Sequence, residues 1–334
     1  MKRTIRFAGI ILAFALCLAS CNGNVPKEYC EELVKLAEDG NVEAQCNLGD
    51  CYAAGEGVEQ NNEEAFKWFM KAAEQGDAEA QLVVGDAYQR GTGVERNDKE
   101  GFKWIMKAAE QGLAPAQRVV GGCYLRGYGV EKNNEEAFKW YMKSAEQGFA
   151  SAQKSVGTCY YRGIGVEKNQ EEAFKWFMKA AKQGDANAQH SIGLCYLRGH
   201  GVERNDKEGF KWFMKAAEQG EAPALLSLGA CYRDGIGTSE NPQESFKWFM
   251  KAAEQGFAEA QYWIGVYYMH GTGTSENPQE AFKWLKKAAE QGHYMAQGDL
   301  SLCYFQGIGV EKDREKANYW FNKAAENNHQ ENGY

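Results

Sequence analysis

Apolar positions along this chain recur with two periods at once. Locally they fall four residues apart, as in Ala44, Leu48 and Tyr52, and so share one face of a helix. Over longer distances the same stretches return every 36 residues. Tryptophan stands at 68, 104, 140, 176, 212, 248, 284 and 320, and only Trp263 falls outside that series. Tyr52, Tyr88, Tyr124, Tyr160, Tyr196, Tyr232, Tyr268 and Tyr304 keep the same spacing. A fixed period of this length signals a repeat array, and no copy carries an insertion or deletion.

Each copy predicts two helices. The first runs through Ala44 to Tyr52 and is broken by Gly55-Glu56-Gly57. The second opens at Asn61, with Asn97, Asn133, Asn169, Asn205, Asn241, Asn277 and Asp313 in the other copies, all favourable N-caps. Glu64, Glu100, Glu136, Glu172, Glu208, Glu244 and Glu280 follow three residues on, which predicts capping boxes. Pro242 and Pro278 directly follow their caps, where a missing N–H costs nothing. Gly76 and its equivalents at 112, 148, 184, 220, 256 and 292 stop the second helix. On that helix Lys67, Lys71 and Glu74 form a narrow polar stripe, and nearly everything else is apolar or alanine. One unit cannot bury so wide a face, whereas stacked units can. The ends read as caps: Glu31 to Gly40 matches the end of a second helix, while Asn328 and Ser301 replace consensus glycines in the last copy.

The copies resemble the Sel1-like repeat family, relatives of the tetratricopeptide repeats. Ala80-Gln81, Gly85, Tyr88, Gly91-Thr92-Gly93-Val94, Phe102, Trp104 and Lys107-Ala108-Ala109-Glu110-Gln111-Gly112 carry the likeness. It implies an all-α fold, a right-handed α/α superhelical solenoid of 36-residue helix-turn-helix repeats. It also implies an interaction scaffold whose first helices line the concave face. The expected organisation is a signal peptide (1–20), a lipidated cysteine and tether (21–27), a half-repeat cap (28–40), eight repeats (41–328) and a polar tail (329–334).

The signal assignment rests on the N-terminus. Lys2, Arg3 and Arg6 precede a short apolar run, Ile10 to Leu18, which ends in Leu18-Ala19-Ser20-Cys21. This resembles the lipobox of bacterial lipoproteins, which implies cleavage before Cys21 and lipid attachment to it. The expected location is the bacterial cell envelope, membrane-anchored, with the periplasmic or outer-surface side left open. Lys+Arg total 38 against 46 Asp+Glu, a formal net charge of −8. That balance argues against a nucleic-acid binder. A monomer is expected.

The chemical motifs are weak. Gly55-Glu56-Gly57-Val58 has neither a preceding strand nor a Gly-Lys-Ser/Thr, so it reads as a turn and not as a phosphate loop. Ser151-Ala152-Gln153-Lys154 spells Ser-x-x-Lys, and some cysteine-rich members of the family have been linked to β-lactam binding. The accompanying Ser-Asp-Asn and Lys-Thr-Gly are missing. His190, His200 and His270 read as surface contacts, and no histidine or cysteine pair has metal-ligand spacing. No catalytic residue, metal or cofactor is expected. Cys51, Cys123, Cys159, Cys195, Cys231 and Cys303 precede the repeat tyrosine. Stacked equivalents lie about 10 Å apart, beyond the roughly 7 Å of a disulfide, so these thiols should be free. The bridge used by the cysteine-rich members is absent, since Ala37, Ala73, Ala109 and Ala145 stand there. Cys30 with Cys46 is the one candidate disulfide.

The variable positions suggest where a partner docks. By 3.6 periodicity residues 46, 50, 53 and 54 lie opposite the Ala44/Leu48/Tyr52 stripe. At the last of these, four copies carry Arg90, Arg126, Arg162 and Arg198, beside Leu125, Tyr161, Leu197 and Met269. Arginines and aromatics are enriched at interfaces. The expected function is therefore a protein- or peptide-binding scaffold whose partner carries acidic groups. The alternatives are a cell-wall or β-lactam-acting envelope enzyme, or a purely structural spacer.

Overall fold

The computed structural model describes residues 27–331, with side chains from 32 to 328. Residues 1–26, which include the expected signal sequence and Cys21, lie outside the described residues, as does the Cys30 side chain. The described residues form 17 helices and no strand. The chain divides into two compact units between Lys168 and Asn169.

The first unit opens with α1 (Lys27–Glu38), followed by three helical pairs and a single helix. The pairs are α2 (Val42–Ala54) with α3 (Asn62–Glu74), α4 (Ala78–Arg90) with α5 (Asp98–Glu110), and α6 (Ala114–Arg126) with α7 (Asn134–Glu146); α8 is Ala150–Arg162. The second unit begins with α9 (Gln170–Lys182). Its pairs are α10 (Ala186–Arg198) with α11 (Asp206–Glu218), α12 (Ala222–Asp234) with α13 (Pro242–Glu254), α14 (Ala258–His270) with α15 (Pro278–Glu290), and α16 (Tyr294–Gln306) with α17 (Arg314–Glu331). This is the all-α helix-turn-helix array expected from the 36-residue period.

Glycine decides how closely a pair packs. Gly85, Gly121, Gly193 and Gly229 each face a large side chain of the second helix, and an added Cβ at Gly193 would meet the Phe213 ring at 2.5 Å. Consecutive repeats are joined by edge-to-face rings. Phe66–Tyr88, Phe102–Tyr124, Phe138–Tyr160, Phe174–Tyr196, Phe210–Tyr232, Phe246–Tyr268 and Phe282–Tyr304 have centroids 5.2–5.5 Å apart, each worth about 0.5–1.5 kcal/mol beyond area burial. The tryptophans divide by environment. Trp68 and Trp176 are buried and the others half-buried. A lysine one turn on covers seven of the rings, Lys71 over Trp68 at 3.7 Å and Lys179 over Trp176 at 3.6 Å among them.

The capping boxes do not close. Asn97 Oδ1 accepts from Glu100 N–H at 3.1 Å, as an N-cap should. The N–H of Asn97, however, already donates to Tyr88 O at 2.8 Å. Glu100 turns away and pairs with Lys103, as Glu64 does with Lys67 at 2.6 Å. The Gly-x-Gly segment is a turn. A Cβ at Gly93, where φ is +70°, would strike the carbonyl of Asn62.

Candidate partner-binding surface

Each candidate arginine is the last residue of a first helix, one position before a left-handed glycine: Gly91, Gly127, Gly163 and Gly199 have φ of 69–76°. A cation there complements the partial negative charge of the helix end. Within the first unit Arg90, Arg126 and Arg162 are exposed, and within the second so is Arg198. Arg90 Nε donates to Asp86 Oδ1 at 2.9 Å in an exposed pair, a contact of small net worth. The Arg126 guanidinium lies 6.0 Å from the Tyr128 ring centroid. Among the described residues Arg126, Arg162 and Arg198 have no carboxylate partner.

The apolar candidates sit differently from the arginines. Leu125, Tyr161, Leu197 and Met269 are all half-buried. Leu197 packs on the core that contains Leu228, and Met269 on the core that contains Leu300, each in the following repeat. The position faces the next first helix, as Gln89 Nε2 shows by donating to Cys123 Sγ at 3.2 Å. Arg233, at the same position, donates to both oxygens of Asp234 at 2.7 Å and stacks over Trp263 at 4.1 Å. These side chains therefore offer an edge and not a whole face.

The position of residue 46 is a correction. Periodicity places it on the free side, yet it is closed between repeats. Cys46 is buried, and Arg118, Lys154, His190, Leu226 and Tyr262 are half-buried. His190 Nε2 lies 3.1 Å from Ser227 Oγ of the following repeat and its ring 5.5 Å from that of Phe213. Burial, and secondarily the Arg198 charge, lower its pKa to about 4. It is not a surface contact. Tyr262 stacks on His293 at 4.8 Å, and His293 Nδ1 caps α16 by accepting from Ala296 N–H.

Cys123, Cys159, Cys195, Cys231 and Cys303 are buried free thiols. Burial raises Cys159, Cys195 and Cys303 to about 11 and Cys231 to about 12, which suppresses thiolate chemistry. The proposed Cys30–Cys46 pair involves a side chain outside those described. Ser151 and Lys154 lie in the first turns of α8, where their carbonyls accept from Ser155 Oγ and Thr158 Oγ1. Among the described residues no three metal-ligating side chains converge, and no helix is long and apolar enough to cross a membrane.

What residue patterns alone miss is a buried amide ladder. Gln81 Nε2 donates to Ala73 O at 3.1 Å and its Oε1 accepts from Gln111 at 2.8 Å; Gln117 and Gln147 repeat the arrangement. The signal was the recurrent Ala-Gln pair at the start of each first helix. Leu225 breaks that series.

The Sel1 repeat family model matches residues 42–77, 78–113, 114–149, 150–185, 186–221, 222–257, 258–293 and 295–329. The chain is similar to the solved structure of a protective antigen of uropathogenic Escherichia coli strains displaying an SLR fold. They share 38% identity with a TM-score of 0.79, over 91% of this chain but only 64% of that one. It is also similar to a Sel1 repeat protein from Oxalobacter formigenes, at 32% identity and TM-score 0.69, over 90% of this chain and 87% of the other. No curated protein matches. Eight tandem matches and these two structures carry one conclusion: the chain belongs to the Sel1 repeat family.

Proposed function

We propose that this protein is a lipid-anchored scaffold of the bacterial envelope that holds an acidic protein segment against the exposed arginines. Sel1 repeat proteins are typically non-enzymatic scaffolds that bind other proteins. The observation that carries the finer reading is that Arg126, Arg162 and Arg198 end their helices exposed, with no carboxylate partner among the described residues. A guanidinium so placed is free to take a partner's carboxylate through two N–H donors. Half-buried Leu125, Tyr161 and Leu197, each one residue earlier, supply the apolar edge beside it. The two units supply these groups separately, Arg90, Arg126 and Arg162 in the first and Arg198 in the second.

The test is binding of a panel of Asp/Glu-rich peptides, read by fluorescence anisotropy. The variant Arg90/Arg126/Arg162/Arg198→Ala should keep its helical circular dichroism and bind at least about tenfold more weakly. Wild-type binding should weaken as salt rises. Undiminished binding by the folded variant overturns the reading. The anchor rests on Cys21 and the residues before it. Cys21→Ser should release the protein from membranes after carbonate washing, and retention would refute lipidation there.

A further inference from the structure

Within the first unit, one face of α6 differs from its copies. Arg118, Gly122 and Arg126 are four residues apart and lie above one another on the helix. Gly122 is not a glycine that packing requires. A Cβ at Gly121 would meet the Tyr141 ring at 2.7 Å, whereas one at Gly122 would meet only the Tyr141 hydroxyl, at 3.7 Å. A gap therefore stands between the two arginines, with a phenol oxygen beside it. Tyr141 belongs to α7 and is 6% exposed. Among the described residues its hydroxyl has no hydrogen-bond partner, and neither has Arg118, whose Nε is buried. Burial, with Cys159 of α8 secondarily, raises the Tyr141 pKa to about 12, while the Arg118 and Arg126 charges reach it and pull the other way. The phenol thus keeps its proton at neutral pH and can donate it.

No other copy repeats this set. At the Tyr141 position every other repeat carries an apolar side chain, such as Phe69, Ile105 or Phe177. At the Gly122 position every other repeat carries a side chain, Asp86, Thr158 and Leu194 among them. Packing gains nothing from a hydroxyl in place of a phenylalanine hydrogen, and a buried N–H of a charged group is costly without an acceptor. We infer that this gap, bounded by Arg118, Arg126 and the Tyr141 hydroxyl, is a pocket for one carboxylate group. A carboxylate brings only acceptors and a negative charge, which are what three donors and two cations lack. Its oxygens take N–H donors from the guanidinium groups and the O–H of Tyr141. The pocket deepens the acidic-segment reading and rests on it for the peptide as the source of the carboxylate; a free dicarboxylate has the same chemistry.

Anisotropy of a labelled hexaglutamate peptide on the full chain tests this, with succinate as competitor. Tyr141→Phe, Arg118→Leu and Gly122→Leu each install a side chain that another copy carries there, as in Phe177, Leu82 and Leu194, so helical content should persist. Each should weaken binding about tenfold, the loss of one hydrogen bond to a charged group or of the space for it. Tyr141→Phe changes no charge, so its effect separates the pocket from the general field of the arginines. Succinate about tenfold weaker than the peptide assigns the pocket to an acidic segment. Succinate as tight as the peptide, and equally weakened by Tyr141→Phe, assigns it to a free dicarboxylate. The variant Arg90/Arg162/Arg198→Ala keeps Arg126 and leaves the pocket whole. If that variant binds weakly while the three pocket variants bind as wild type, the arginine reading stands and the pocket is overturned. If the pocket variants bind weakly and that variant does not, the pocket stands without the other arginines. A wild type that takes neither peptide nor succinate also overturns it.

Discussion

The repeat of residues 222–257 and the last repeat, 295–329, follow one frame yet treat the same aromatic side chain in opposite ways. In the first, Gly229 opens a slot and Phe249 fills it at 1% exposure; in the second, Ser301 closes the slot and Phe321 turns outward. A motif residue is core only where its neighbours make room for it and the next repeat covers it. One missing Cβ supplies the room, and the array supplies the cover. The comparison also explains why the copies look so alike in their second helices: each is held on two sides at once.

Truncating the tryptophans should widen the contrast most. Trp176 is buried and Trp320, at the same repeat position, is half-buried. Trp176→Ala should cost about 3–5 kcal/mol and Trp320→Ala less than half of that. Urea midpoints compare the two directly, and equal losses would mean that position in the array does not set the burial energy.

The slot itself is tested next. Gly229→Ala places a methyl 2.7 Å from the Phe249 ring, and overpacking of this kind costs about 1–3 kcal/mol. Helix propensity pulls the other way by about 1 kcal/mol. Sterics should win, because Phe249 is enclosed and cannot swing out. Ser301→Ala, which keeps the slot closed, should change stability by no more than about 1 kcal/mol, the worth of the lost hydrogen bond. A stabilised Gly229→Ala would show that the ring shifts at no cost.

Acid separates the same two places. His190 is covered by the following repeat, while its equivalent in the last copy is Gly298, with nothing to titrate. The folded-state pKa of His190, about 4, lies below the ordinary value of 6.5. The unfolded chain therefore binds more protons between those values, and stability falls as pH drops through that window. The loss should reach about 2 kcal/mol between pH 7 and 5. His190→Leu, with leucine already at the equivalent Leu82 and Leu226, should flatten the profile. An unchanged slope would place the titration elsewhere.

The residues show why some of this was legible in the sequence and some was not. The helical pairs, their Asn caps and stop glycines follow from local rules, and the 36-residue period fixed the stacking. Position 46 misled because helical periodicity describes one helix against its partner, whereas His190 and Tyr262 are closed by the next repeat. The capping boxes misled because the tyrosine carbonyl of the first helix competes for the cap N–H. The arginines, read as lying opposite the core stripe, stand exposed at their helix ends, whereas their apolar neighbours Leu197 and Met269 pack between repeats. The amide ladder was visible only as repeated letters, since nothing local says what a buried glutamine bonds to.

That ladder gives the smallest expected effect. Gln189 donates to Ala181 O at 3.2 Å and accepts from Gln219 at 2.8 Å. One repeat later Leu225 fills the site, and Gln255 keeps only Gly220 O, at 3.3 Å. In the last copy Asn327 takes the bridging role to Gln297 at 3.0 Å. The protein thus holds three solutions to one position. Gln189→Leu removes an acceptor from Gln219, which is exposed and turns to water, and a donor from Ala181 O, which still accepts from Gly184 N–H at 3.1 Å. No buried group is orphaned, so the cost should stay near 1 kcal/mol. Leu225→Gln should cost more, about 1–2 kcal/mol, because it withdraws a wholly buried side chain from the core around Leu228 and Ile264. Chemical denaturation of both variants decides the order. If Gln189→Leu proves the more damaging, the amide does more than fill a site that leucine fills equally well one repeat away.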